Sequence, residues 1–219
     1  NGLELWKTDG TTAGTVMVRD INAAAETGSN PFGFTVFNGA LYFNAGDGAT
    51  GRELWKTDGT EAGTVMVKDI NTATAGASSD PFDFAVFNAS DVLAGGGALY
   101  FTANDGMNGI ELWKTDGTAA GTVMVKDINT ATAGASSRPA GFTALRVGPT
   151  VTSPRELFFS ANDGVNGTEL WKTDGTEAGT VMVADINTTA ARASSQPFGF
   201  TFFNGALYFS ALDGVSGFE

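Results

Sequence analysis

Apolar and polar positions along this chain fall into short bursts, separated by breaks rich in glycine, asparagine and aspartate, and the pattern recurs from one end to the other. Taking one unit as the example, FGFTVF (Phe32–Phe37), ALYFNA (residues 40–45), RELWK (52–56) and GTVMVKDI (63–70) are rich in aromatic and β-branched residues. That composition predicts four strands, and no segment carries a sustained helical period. Asn38-Gly39 separates the first two, as Asn204-Gly205 does in the last copy; this is the two-residue hairpin turn whose positive φ angles match strand twist. TDGTxAGT joins the third strand to the fourth, with Asp and two Gly supplying a wider turn. Leu41 and Phe43 alternate with Tyr42, and Met66 with Val65 and Val67. Strands apolar on both faces ask for a neighbouring sheet on either side.

The marker ELWKTDG begins at Glu4, Glu53, Glu111 and Glu169, and Trp6, Trp55, Trp113 and Trp171 are spaced 49, 58 and 58 residues apart. The marker blocks span 4–21, 53–70, 111–128 and 169–186. Residues 213–219 re-enter the register of residues 1–4, since SGFE (216–219) aligns with NGTE (166–169). We therefore read residues 1–219 as a single repeat domain. A unit of about fifty residues with four short strands predicts an all-β fold, a β-propeller of four-stranded antiparallel blades. Two strands left at each end would complete one shared blade, so the four repeats form either a closed four-blade ring or part of a larger ring. A β-solenoid has shorter coils and fewer clear hairpins, and a β-sandwich fits the repeat less naturally.

Composition narrows the function. Apolar residues are 42% of the chain, 17 of them Phe, enough for a continuous core. A net charge of −12 opposes the phosphate contacts of nucleic-acid binding and the basic patches that hold anionic lipid. The absence of Cys and His removes thiol nucleophiles, disulfides, Cys/His zinc sites and histidine bases. No run approaches the roughly 18 apolar residues of a membrane-spanning helix, so neither nucleic acid nor direct membrane insertion is expected.

At ELWKTDGTEAGTVMVKDI (53–70) the chain resembles the ELWxxDGT-repeat proteins, large bacterial secreted or surface proteins with tandem copies of this unit. The resemblance covers essentially the whole chain, each copy keeping Glu-Leu-Trp, Asp-Gly-Thr and a downstream Gly-Thr. It implies an extracellular or cell-surface setting and roles in adhesion or envelope assembly.

Candidate chemistry sorts onto two ends of the sheets. One gathers the DIN-x-SS-x-P connections, with Asp69, Ser78, Ser79, Ser136, Ser137, Ser194 and Ser195, and the Asp-Gly loops of Asp47, Asp105, Asp163 and Asp213. Calcium takes about six to eight oxygen ligands, so these four aspartates are the calcium candidates; Asp-Gly is equally a common turn sequence. Each Trp either stacks on a sugar or fills the core between sheets, its indole N–H then finding a fixed acceptor. Each marker Glu, two residues away on the same strand face, suggests a fixed hydrogen-bond partner before it suggests catalysis. The copies differ most in the first hairpin turn, lengthened at residues 89–97 and 146–155, where Asp91, Arg146 and Arg155 are candidate contacts for a partner.

These readings lead to a non-catalytic binding or scaffold protein contacting protein or glycan at the cell surface, with self-assembly through the terminal strands as a further route. The alternatives are a calcium-dependent, lectin-like carbohydrate-binding propeller and a segment of a polysaccharide-degrading enzyme. The last is disfavoured because the acids recur evenly, whereas an active site normally breaks repeat symmetry.

Overall fold

The computed structural model describes residues 2–24, 27–87, 97–146 and 155–219. Within them the predicted strands form three complete antiparallel sheets flanked by two half sheets. The chain enters through β1 (Leu5–Lys7) and β2 (Val16–Arg19). The first complete sheet is β3 (Phe32–Phe37), β4 (Ala40–Gly46), β5 (Arg52–Thr57) and β6 (Val65–Lys68). The second is β7 (Phe82–Phe87), β8 (Ala98–Asn104), β9 (Ile110–Thr115) and β10 (Val123–Lys126). The third is β11 (Ala140–Arg146), β12 (Arg155–Asn162), β13 (Thr168–Thr173) and β14 (Val181–Ala184). The chain leaves through β15 (Phe198–Phe203) and β16 (Ala206–Ser210).

Local chemistry explains the strand limits. Asn38 and Gly39 both hold positive φ, 47° and 76°, as do Asn204 and Gly205 at 48° and 83°, the geometry that a two-residue hairpin requires. The fourth strand is shorter than its sequence predicts. Gly63 and Thr64 belong to the turn, where Thr64 bonds both Thr57 and the Thr60 carbonyl. At the other end the Ile70 amide leaves the ladder for the Glu53 carboxylate. A register shift between Leu54 and Trp55 bulges the fourth strand opposite them, and the other sheets repeat it.

Stacking of successive sheets makes the core. Phe37, Tyr42, Leu54 and Val67 of the first complete sheet meet Leu99, Phe101 and Trp113 of the second. Phe87, Tyr100, Leu112 and Val125 of the second meet Leu157, Phe159 and Trp171 of the third in the same way. The first and second complete sheets thus each offer a Phe-Tyr-Leu-Val face to the Leu-Phe-Trp face of the sheet that follows. This is why the two central strands carry apolar residues on both sides: in an interior sheet they are covered on both faces. The first strands also pack in succession, β3 beside β7, β7 beside β11 and β11 beside β15. At the ends, β1 has β2 as its ladder partner and β16 has β15.

Candidate functional site

The most heavily built polar site recurs at every junction between sheets. Glu53 is fully buried in β5. Its Oε1 accepts the Ser79 amide at 2.9 Å; its Oε2 accepts the Ile70 amide at 2.9 Å and the Ser79 hydroxyl at 2.5 Å. The Ser79 carbonyl in turn accepts the Asn104 amide of the next sheet at 2.9 Å. One carboxylate therefore ties the end of its own fourth strand to the connection that enters the following sheet. Glu4 does the same with Ile21 and Ser29, Glu111 with Ile128 and Ser137, and Glu169 with Ile186 and Ser195. Burial pushes the Glu53 and Glu111 carboxyls up to about 7, against the downward pull of their serine and isoleucine donors.

The neighbouring serines are equally engaged. Ser78 accepts the Arg52 amide, Ser136 the Ile110 amide and Ser194 the Thr168 amide, each at 2.9 Å. All six candidate serines thus sit in internal hydrogen bonds at the sheet junctions. Asp91 and most of both lengthened turns lie outside the described residues, while Arg146 and Arg155 pair across β11 and β12 at the base of the second.

The Asp-Gly loops close on themselves. Asp47 accepts the amides of Ala49 and Thr50, Asp105 those of Met107 and Asn108, Asp163 those of Val165 and Asn166, and Asp213 those of Val215 and Ser216. Partial burial works against ionisation at Asp105, yet the Asn108 and Met107 amides and the Asn108 side chain hold its carboxyl below the usual carboxylate range. Among the described residues no group of three or more acidic side chains converges as a metal site would require. A different set of aspartates stands out: Asp20, Asp69, Asp127 and Asp185, from the DIN motifs, each keep one buried carboxylate oxygen without a hydrogen-bond partner. The carboxyl of Asp127 is pushed up by burial and by the nearby charge of Asp105.

Trp55, Trp113 and Trp171 fill the space between sheets, as the core reading requires. The expected indole acceptor is missing, however: all three Nε1 atoms are buried without a partner. The surroundings agree, since Trp55 lies among Leu5, Val18, Ile21 and Phe43, whose side chains have nothing to accept with. At the opposite end of the sheets lysines cross the first three junctions, while Lys172 pairs with Glu156 within its own sheet. Lys7 donates to the Gly59 carbonyl, Lys56 to Gly117 and Lys114 to Gly175 at 2.7 to 2.8 Å.

One departure from symmetry escaped the sequence reading. A bulge in the first strand of each sheet places Gly33, Gly141 and Gly199 at φ of 71° to 73°, but Asp83 holds the same position at 56°. Its carboxylate accepts the Gly141 amide of the next sheet at 2.9 Å, a bond across the junction that the glycine copies cannot make. Aligning FGF, FDF, AGF and FGF across the copies was the available signal.

No protein-family model, curated protein or solved structure matches this chain.

Proposed function

We propose that the chain is a non-catalytic binding and scaffold protein of the bacterial cell exterior, a β-propeller or arc of one, serving adhesion or envelope assembly. The observation that carries this reading is the use of the recurring acids. In every copy the marker glutamate and the loop aspartate are spent on backbone amides of the repeats themselves. A general acid or nucleophile needs a carboxylate open to substrate, and these are engaged as structural ties. The resemblance to ELWxxDGT-repeat proteins supplies the extracellular setting, and the lengthened turns at 89–97 and 146–155 supply the variable contact surface.

A calcium-dependent carbohydrate-binding role is a second reading. It is favoured by the unpaired oxygens of Asp20, Asp69, Asp127 and Asp185, because buried unsatisfied oxygens at one repeated place are what a cation would satisfy. A glycan and matrix-protein array, probed with calcium and again with chelator, separates the two. Binding indifferent to chelator supports the scaffold; binding abolished by chelator supports the calcium lectin; release of sugar products from polysaccharide overturns both.

A further inference from the structure

The first strands of the sheets lie side by side, and each opens on the same four positions: PFGF at 31–34, PFDF at 81–84, PAGF at 139–142 and PFGF at 197–200. Two copies depart from the shared wording, and they are neighbours. Asp83 replaces glycine in β7, and Ala140 replaces phenylalanine in β11. The register is the same in all four, since Phe32, Phe82, Ala140 and Phe198 pair with Asn44, Thr102, Ser160 and Ser210 of the second strand. The departures are therefore changes of side chain on a common backbone.

Their consequence is a hollow. Phe32, Phe82 and Phe198 each carry a partly exposed phenyl ring, and Ala140 has only a methyl group in that place. A cavity of about 450 Å³ lies there, lined by Asp83, Ala140, Gly141, Phe142, Phe198 and Phe200, a size that suits a small molecule. It sits at an interior junction, between β11 and β15, each paired with the strand after it. Its walls are held in place. Phe142 packs on Phe159 and Phe200 on Phe209, with ring centres 5.7 and 5.8 Å apart, and Phe200 lies so close over Gly141 that a Cβ there would crowd the ring. Asp83 is held too, because its Oδ2 accepts the Gly141 amide. Among the described residues its Oδ1 has no hydrogen-bond partner and its charge no cationic one. Arg138, two residues before Ala140, lines a separate hollow with Ser136 and Asn162.

We propose that this hollow binds a small aromatic cation, its ring taking the place of the phenyl group missing at Ala140 and its ammonium facing the Asp83 carboxylate. Phe142, Phe198 and Phe200 supply apolar contact and aromatic faces that attract positive charge. Asp83, with a chain net charge of −12 behind it, repels an anion of the same shape. The first copy contains the same chemistry in internal form: the Arg52 guanidinium lies 4.8 Å from the centre of the Phe32 ring, and its Nε lies 3.4 Å from the Asp80 carboxylate. Recurring acids are spent on the repeats themselves, whereas Asp83 and Ala140 belong to one copy each, as a site for a single ligand requires. The inference holds whatever the scaffold contacts elsewhere.

Titration of the 15N-labelled chain with phenethylammonium, followed at the amides of Gly141, Phe142 and Phe198, tests it. Phenethyl alcohol and phenylacetate present the same ring with a neutral or a negative end. Expected are saturable shifts with the cation at a Kd on the order of 1 mM, as for a ligand of so few atoms. The alcohol binds about 5-fold more weakly, and phenylacetate not at all. Asp83→Gly and Ala140→Phe each install the residue that the other copies carry, so each variant folds, checked by an unchanged circular dichroism spectrum and a cooperative melt. Asp83→Gly lowers the affinity for the cation to that for the alcohol. Ala140→Phe abolishes saturable binding of both, because two rings cannot share the space. The proposal is overturned by an absence of saturable shifts up to about tenfold above that Kd, or by an alcohol that binds as well as the cation. It is equally overturned by a cation preference that survives Asp83→Gly, or by binding that survives Ala140→Phe.

Discussion

Replacing Glu53 with Gln makes a perturbation whose size and pH dependence both follow from the junction geometry. The carboxylate accepts two buried amides and a hydroxyl. Gln keeps one acceptor oxygen and turns an NH2 group toward donors, leaving one buried amide or hydroxyl unpaired, at a cost of about 1–3 kcal/mol. The wild-type side chain also titrates. Burial lifts its folded value to about 7 from the ordinary 4.5, so between these values the folded state holds a proton that the unfolded state has released. Stability contributed by this group is therefore full below pH 4.5 and is lost as pH rises toward 7, by about 3 kcal/mol in all at roughly 1.36 kcal/mol per unit. Ser79 makes the protonated form tolerable: its hydroxyl lies 3.4 Å from the Arg52 carbonyl, so it can accept from the carboxylic acid and donate there. The amide that replaces the carboxyl does not titrate. The stability gap between wild type and Glu53→Gln, measured by urea unfolding, should narrow from about pH 5 to about pH 8. A gap that widens over that range would refute the reasoning, since it would mean that the ionised carboxylate is the form the fold prefers.

Three further outcomes follow from contrasts between copies. Trp113→Ala should cost about 3–5 kcal/mol in denaturant unfolding, as for a fully buried aromatic, while Trp6→Ala in dilute solution should cost far less because that ring is largely exposed. Gly117 and Gly59 share a left-handed φ, 96° and 89°, but a Cβ on Gly117 would collide with the Tyr42 hydroxyl and one on Gly59 would meet nothing. Gly117→Ala should therefore lower stability by about 1–3 kcal/mol more than Gly59→Ala, the cost of overpacking. Thr115→Val should cost about 1–3 kcal/mol, because the buried Thr115 hydroxyl both pairs with Thr122 and accepts the Gly117 amide at 2.9 Å; a thermal melt of the variant within error of wild type would exclude that role.

Much of the sheet structure was legible because it is written locally. Strand composition, the Asn-Gly turns and the Trp spacing each need only a few consecutive residues, and each matches the structure. The site was less legible. Ser79 could be singled out as a candidate contact, but its partner Glu53 lies 26 residues upstream, and nothing local says that the connection folds back to meet it. The missing indole acceptor had the same origin: what surrounds Trp55 is contributed by β1, β2 and the connection after β2, dozens of residues away.

The sequence by itself therefore determined the repeat, the strands, the hairpin turns and the demand that both faces of each sheet be covered, because backbone propensity and two-residue alternation act over short spans. The tertiary structure alone decided which face meets which, that the marker glutamates and paired serines serve the junctions, and that Trp6 and Tyr208 stand open at the ends. Those outcomes depend on burial, and burial is set by the neighbouring sheet rather than by the residue's own motif: the same ELWKT sequence buries its Trp at Trp55 and exposes it at Trp6.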